Sequence, residues 1–132
     1  MNLDQLCAEY GNKFAEEVTK ALNNKAKAAE SLITKALGVL QEQGLYAFIL
    51  FCESRGSQEK EGAKKITELT KELLKDKLKL ISNGDLLEEI RKDGGLATRL
   101  DDLMLAIQVI EKTLIYSRYH AKALKGSEDT NQ

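Results

Sequence analysis

None of the 132 residues of this chain is proline. Proline interrupts helices more strongly than any other residue, because it lacks a backbone N–H group and its ring clashes with the preceding turn. In an average protein, proline makes up about 5% of the residues. Nothing in this chain therefore forces a helix to break, and glycine and asparagine remain as the main candidates for helix ends.

Apolar residues recur at helical spacing in the first third of the chain. From Asp4 to Gln43 they follow steps of three and four residues, and Gly44 closes the segment. The apolar positions are Leu6, Tyr10, Phe14, Val18, Leu22, Leu32, Ile33, Ala36, Leu37 and Leu40. Because Asn23 and Asn24 interrupt the pattern, it predicts either one long helix or two.

Every residue from Leu45 to Cys52 is apolar. Such a run is typical of a buried strand or of a buried helix, and it is too short to span a bilayer. Because no other segment resembles a strand that could pair with it, we predict a central buried helix. This helix is expected to end near Arg55–Gly56.

The middle of the chain predicts a polar loop over residues 57–62 and then a helix from about Ala63 to Ile81. The residues expected to face inward are Ile66, Leu69, Leu73, Leu74, Leu78 and Ile81. The turn-forming residues 82–84 are expected to stop this helix.

Two further helices are predicted after that stop. Asp85 followed by Glu88 is typical of a capping box, which would open a short helix to about Lys92, and residues 93–95 form a second break. The last helix is expected from about Thr98 to Lys125. Its stripe at three-four spacing contains Leu100, Leu103, Ile107, Ile110, Leu114, Ala121 and Leu124, with Ser117 as a polar interruption.

These patterns predict an all-α fold, a compact bundle of about five or six helices without a sheet. The composition, 42% hydrophobic and 31% charged, is typical of a folded domain. We expect one helical domain over residues 1–126, ended by Gly126, and a flexible C-terminal tail over residues 127–132.

The charge of the chain is nearly balanced but unevenly distributed. A formal net charge of −1 gives no support for a generic polyanion binder. Residues 81–111 contain three bases and seven acids, whereas residues 112–126 contain four bases and no acid. The second segment is therefore the strongest candidate for contact with an anionic partner.

Three of these bases share a helix face: Arg118, Lys122 and Lys125 are spaced four and three residues apart. Tyr119 and His120 lie between them, and cations beside planar rings suit a phosphate backbone with unstacked bases. An alternative stays open, because cations near a helix C-terminus also complement the helix dipole and need no ligand.

Few residues in the chain are suited to catalysis. His120 is the single histidine, which excludes a two-histidine metal site. Cys7 and Cys52 lie in apolar contexts typical of buried thiols in a reducing compartment. The N-terminus has no basic-then-apolar signal pattern, and no phosphate-cradling glycine motif is present. We expect a cytoplasmic protein with no enzymatic activity, metal or cofactor.

Two stretches carry a resemblance to a known family. Leu37–Arg55 (LGVLQEQGLYAFILFCESR) is an apolar helix with a polar–Gly–Leu step, followed by a small-and-aromatic helix that ends in a basic residue. Leu114–Leu124 (LIYSRYHAKAL) combines aromatic and basic residues with alanines and a leucine. Together they resemble the small subunit of type III-B (Cmr) CRISPR effector complexes, with type III-A and type I small subunits as the nearest alternatives.

The resemblance implies a non-catalytic structural subunit of RNA-guided antiviral defence. Such a subunit stacks with further copies of itself, joins other effector subunits, and contacts the backbone of guide RNA and target RNA, with no membrane partner. The family's basic pair corresponds to Ser117–Arg118 in this sequence, so Arg118 alone carries over. The candidate RNA-contacting residues are Arg118, Lys122, Lys125, Lys112 and Arg55.

A second function remains compatible with the same residues. The stripe of the last helix, or the lysine-rich helix before residue 81, would suit a helical protein–protein adaptor or a dimerisation module that binds no nucleic acid.

Overall fold

The computed structural model describes residues 2–130 of the chain, with side chains as far as Gly126. Within that range it contains six α-helices and no strand, which confirms the predicted all-α class. The helices are α1 (Leu3–Ala21), α2 (Ala26–Gln43), α3 (Leu45–Glu53), α4 (Lys60–Glu72), α5 (Leu86–Arg91) and α6 (Leu100–Thr130). Each helix in this range is too short or too polar to serve as a bilayer-spanning segment.

The first apolar segment forms two helices, because the chain reverses at its asparagine pair. Asn23 and Asn24 have φ values of 60° and 63°, in the left-handed region that asparagine tolerates better than most residues. Two consecutive left-handed residues end α1. The next reversal is at Gly44, whose φ of 92° ends α2 as predicted.

The predicted helix over the apolar run exists as α3, but the expectation that it is central and buried all round is wrong. Leu45, Phe48, Ile49 and Cys52 are buried, at the spacing of one helix face. Leu50, on the opposite face, is 45% exposed. This short helix packs against α2, α4 and α5 at one side of the bundle, so only one of its faces is covered.

The helix predicted to start at Ala63 begins three residues earlier. A 3₁₀ turn at Ser57–Glu59 leads directly into α4 at Lys60, so all six residues of the predicted loop are helical. Gly62 lies buried inside this helix. A Cβ atom there would come within 2.9 Å of the Leu22 and Leu32 side chains, so glycine at this position permits the close approach of α4.

The same helix also ends earlier than predicted. A π-helical turn at Leu73–Lys77 follows α4, and Lys79 has a φ of 54°. A π turn inserts one residue relative to α-helical geometry and so rotates all that follows. Leu80 consequently enters the core, whereas Leu78 and Ile81, both predicted to face inward, are only partly buried.

The short helix α5 begins at the predicted cap. The Asp85 side chain accepts a hydrogen bond from the Glu88 N–H group at 3.1 Å. Glu88 does not complete the box, because its carboxylate pairs with Arg91 at 2.6 Å. Glu89 instead accepts a 2.6 Å hydrogen bond from the Ser82 N–H group and fixes the preceding loop.

The last helix, α6, packs along both α1 and α2. Its stripe is buried in the middle but not at its ends, since Leu100 is 68% exposed and Leu124 is also exposed. Leu3, the first residue of α1, lies beside Leu105. The first turn of α6 therefore projects past α1, and Leu100, the first residue of the predicted stripe, faces solvent.

The predicted helix end at Gly126 is also wrong, because the α6 backbone continues to Thr130. Gly126 does not adopt the positive φ of a helix-terminating glycine. No proline follows it, so every later residue retains the N–H donor that a helix requires. Residues 131 and 132 of the predicted tail lie outside the described residues, and the flexibility of residues 127–132 stays a prediction.

Candidate nucleic-acid interface

The predicted basic residues of α6 lie together on its outer surface. At 100° per residue, the directions of Arg118, Lys122 and Lys125 fall within about 60° of one another. Arg118 and Lys122 are exposed and Lys125 is half-buried, whereas the neighbouring Ser117 and Ala121 face the core. We call Arg118, Lys122 and Lys125 the basic face.

The three cations of the basic face differ in their pairing. Within the described residues, neither Arg118 nor Lys122 forms an ion pair or a hydrogen bond with a protein group. Lys125 lies 3.8 Å from the Glu30 carboxylate of α2. Two full positive charges therefore face solvent, and the charge of Lys125 is partly neutralised.

Lys112 lies about 120° around the helix axis from Arg118. Its Nζ atom is 2.7 Å from the Asp4 Oδ1 atom of α1, and the Tyr116 hydroxyl donates to the same oxygen at 2.7 Å. The hydrogen bond with Lys112 lowers the pKa of Asp4, and the same bond raises the pKa of Lys112. Asp4, Lys112 and Tyr116 form a tether between α1 and α6, so Lys112 is separate from the basic face.

Arg55 is also separate from the basic face, because it is held at the end of α3. Its Nε–H group donates to the Phe51 carbonyl at 3.2 Å, and its guanidinium lies 4.2 Å from the centre of the Phe51 ring. A weaker pairing reaches Glu59 at 3.8 Å. Since α3 packs against α2, α4 and α5 rather than along α6, Arg55 lies outside the main cationic cluster.

A cleft opens between α1 and α6 on the side of α6 that carries Tyr116 and Tyr119. No residue of the basic face lines it, and Lys122 lies about 60° around the helix from Tyr119. The cleft has a volume of about 300 Å³ and is lined by Ala8, Tyr116, Tyr119, His120 and Ala123. Tyr119 is 66% exposed. The aromatic residues of this cleft follow from the sequence pattern, but Ala8 does not, because only the packing of α1 on α6 brings it there.

The cleft depends on an unusually close approach of the two helices. A Cβ atom on Gly11 would lie 2.6 Å from the Tyr116 Cβ atom and 3.3 Å from the Ser117 backbone nitrogen. Ser117 is fully buried at this contact. The small side chain of Ser117, which is the polar interruption of the predicted stripe, allows α1 to approach. In the sequence, Gly11, a lone glycine inside a helical pattern, indicates this close approach.

The first half of α6 presents different chemistry in the same direction. Leu100 and Met104 precede Arg118 and Lys122 by eighteen residues, which is five full helical turns. Both are well exposed, at 68% and 50%. The acids of this half of the helix are Asp101, Asp102 and Glu111. One outward face of α6 thus begins apolar among acids and ends basic.

The candidate catalytic groups remain apart or buried. In residues 2–126, no three His, Cys, Asp or Glu side chains form a set that could hold a metal ion. Cys7 and Cys52 are both buried free thiols. Burial raises the pKa of the Cys52 thiol to about 12, which keeps it protonated at neutral pH.

Comparison with known proteins identifies one family. A family model described as CRISPR-associated protein (Cas_Cmr5) matches residues 3–124. The match extends from the start of α1 to Leu124, and so includes both sides of the cleft and most of the basic face. No curated protein and no solved structure matches the chain.

Proposed function

The chain belongs to the Cas_Cmr5 family of CRISPR-associated proteins, which makes it a type III-B Cmr small subunit, and on that premise we propose a non-catalytic structural role with contact to the guide–target RNA backbone. A CRISPR-associated subunit works in a complex with other subunits. We propose that this subunit holds RNA by its phosphates and that other subunits of the complex carry out catalysis.

The observation that carries this proposal is the pair of cations Arg118 and Lys122, which have no partner for their side chains among the described residues. They are exposed on adjacent turns of α6, in a segment that contains no acid. Phosphate contacts from such side chains position a strand without reading its sequence. This suits a subunit whose complex obtains its specificity from the pairing between guide and target.

The absence of catalysis is supported by the placement of the reactive groups. Cys7 donates to the Val109 carbonyl at 3.6 Å from a buried position, and Cys52 is buried with a raised pKa. His120 makes no hydrogen bond with a carboxylate among the described residues. None of these groups has the partner that nucleophilic or general-base catalysis requires.

Stacking with further copies of the chain is the second part of the proposed role. The exposed Leu100 and Met104 lie among acids at one end of α6, and Arg118 and Lys122 lie at the other end. A head-to-tail contact would cover Leu100 and Met104 against the next copy and leave Arg118 and Lys122 free for RNA. The same contact would leave the cleft beside Tyr119 along one side of the stack.

Salt-dependent RNA binding by a charge-reversal variant tests the proposed RNA contact. Arg118→Glu combined with Lys122→Glu should weaken binding of the full chain to labelled single-stranded RNA by at least about tenfold at low salt. Because two phosphate contacts are lost, the slope of log K against log salt should also fall by about 1.4. Fluorescence anisotropy over a salt series measures both quantities.

Lys60→Glu combined with Lys64→Glu provides a matched control. These lysines are exposed on α4 with the same four-residue spacing, and the variant carries the same change in net charge. It should retain most of the affinity. Equal losses in the two variants would mean that RNA responds to total charge, and the proposed contact would be wrong.

A protein–protein adaptor without nucleic-acid binding is a second candidate, favoured by the exposed Leu100 and Met104. Recovery of partner proteins with and without nuclease treatment separates the two functions. Partners that remain bound after nuclease treatment, together with no RNA affinity in the chain itself, would favour the adaptor.

A further inference from the structure

We propose that the cleft between α1 and α6 beside Tyr119 binds one unpaired nucleobase of RNA. This pocket depends on the proposed function, because the phosphates on either side of the base would lie on Arg118 and Lys122. The proposed function requires cations alone and would hold without the pocket. The two ideas therefore make different predictions for RNA that lacks a base.

The shape of the cleft suits a small planar ring. Its volume of about 300 Å³ lies at the lower end of the range for ligand pockets. Ala8 and Ala123 are its small residues, and the rings of Tyr116, Tyr119 and His120 complete its lining. Unpaired bases bind proteins chiefly by stacking on such rings.

One wall of the cleft is fixed and another is available to a ligand. The Tyr116 hydroxyl is bound to Asp4 at 2.7 Å, and the Lys112 Nζ atom lies 5.7 Å from the centre of the Tyr116 ring. Tyr119, in contrast, makes no hydrogen bond and no cation–ring contact within the described residues. A base entering the cleft would meet a prearranged ring on one side and an unengaged ring on the other.

The charges around the cleft favour a ligand with an apolar ring and an anionic backbone. Asp4 is the acid nearest Tyr116, and its charge is neutralised by Lys112 at 2.7 Å. Lys122 lies about 60° and Arg118 about 100° around α6 from Tyr119, and within the described residues neither side chain is paired. This combination of an apolar cleft with cations on the side of Tyr119 matches single-stranded RNA.

Oligonucleotides with and without one base test the pocket directly. The probe is a short single-stranded RNA with 2-aminopurine at its centre, and the comparator has the same phosphates with an abasic residue there. The full chain should bind the first about 5- to 10-fold more tightly than the second. Stacking in the cleft should also quench the 2-aminopurine fluorescence.

Variants of the cleft locate this effect. Tyr119→Ala should remove the difference between the two probes, whereas Tyr119→Phe should preserve it, because the phenyl ring still stacks. Ala8→Leu should fill the cleft and give the same loss with every ring and charge retained. Leu50→Ala, which truncates an exposed apolar residue on α3, is the matched control and should have no effect.

Three results would overturn the pocket, and they are distinguishable. Equal binding of both probes, still abolished by the double charge reversal of Arg118 and Lys122, would remove the pocket and leave the proposed function. No binding of either probe at low salt would remove both. A Tyr119→Ala variant that binds RNA normally but fails to join its protein partners would assign the cleft to a protein contact.

Discussion

The two halves of α6 present different chemistry on one continuous surface. In the first half, Leu100 and Met104 project among acids, and in the second, Arg118 and Lys122 project in the same two directions within a segment, residues 112–126, that contains no acid. The inner side of α6 packs on α1 and α2. A single helix can thus serve two kinds of contact, because the core specifies only its inner side.

The comparison also explains why total charge is a poor guide to the partners of this chain. Residues 100–111 of α6 contain three acids and no base, and residues 112–126 contain four bases and no acid, yet the whole chain totals only −1. Charges on one rigid helix cannot mix, so each half retains its own field at distances within a Debye length. The separation of the charges along α6, rather than the net charge of the chain, determines which partners each end of the helix attracts.

The largest effect is expected from breaking the helix contact on which both halves depend. Gly11→Leu would drive a side chain into Tyr116, so we expect a loss of about 3 kcal/mol in the free energy of unfolding through overpacking. Chemical denaturation measures it. Gly38→Ala is the control, because a Cβ atom at Gly38 meets nothing within 4 Å; there we expect a gain of about 0.5–1 kcal/mol. A tolerated leucine at Gly11 would contradict the close approach of α1 and α6.

The next largest effect is expected from a variant that tests whether the two halves of α6 have separate functions. Leu100→Asp combined with Met104→Asp should abolish self-association, because it places charges in the proposed copy–copy contact, and it should leave RNA affinity within about twofold. Sedimentation velocity over a concentration series measures association. Leu50→Asp on α3 should associate as the unmodified chain does. A variant that still associates would show that copies meet through another surface.

A smaller effect is expected from a variant that makes the second half of α6 more basic and so increases its difference from the first half. Glu30→Gln removes the acid that lies 3.8 Å from Lys125, so RNA affinity should rise by about two- to threefold and its salt dependence should become steeper. Anisotropy titrations against Glu42→Gln, an exposed acid at the far end of α2, provide the comparison. Unchanged affinity would exclude Lys125 from the RNA contact.

The smallest effect concerns the tether at the boundary between the halves. Because the pKa of Asp4 is lowered in the folded protein, its ionised form contributes stability above the pKa of the unfolded chain, near 3.9. That stability is lost as pH falls through the lower folded value. Asp4→Asn should therefore melt slightly below the unmodified chain at pH 7, and the difference should vanish in strong acid. A difference that persists there would mean that charge is not its source.

Most of the fold follows from local sequence rules. The exceptions arise where packing between segments that are distant in the sequence determines the structure. Asp85 caps α5 as predicted, because a cap needs only its own turn. The burial of Leu80 was missed, since the π turn at Leu73–Lys77 has no clear signal in the sequence. Periodicity places Leu100 on the stripe of α6, but it cannot tell how far a neighbouring helix extends, and so it does not predict that Leu100 is exposed.

The candidate site shows the same division. The basic face was predictable, because Arg118, Lys122 and Lys125 depend only on helical spacing. Lys112 was grouped with them because Asp4, which holds it, lies at the other end of the chain. The cleft required knowledge of which helix α1 packs on, and no local pattern in either helix provides that.

The packing of α1 on α6 has a consequence for how the chain acquires its structure during synthesis. Cys7 and Val109, which meet at this contact, are 102 positions apart. At ribosomal rates of about 5–20 residues per second, α1 would wait about 5–20 s before its partner is made. During that time the side of α1 that packs on α6 stays open to other chains, whereas α4, which also packs on α1, has already been made. Low temperature, which slows translation, would lengthen that exposure.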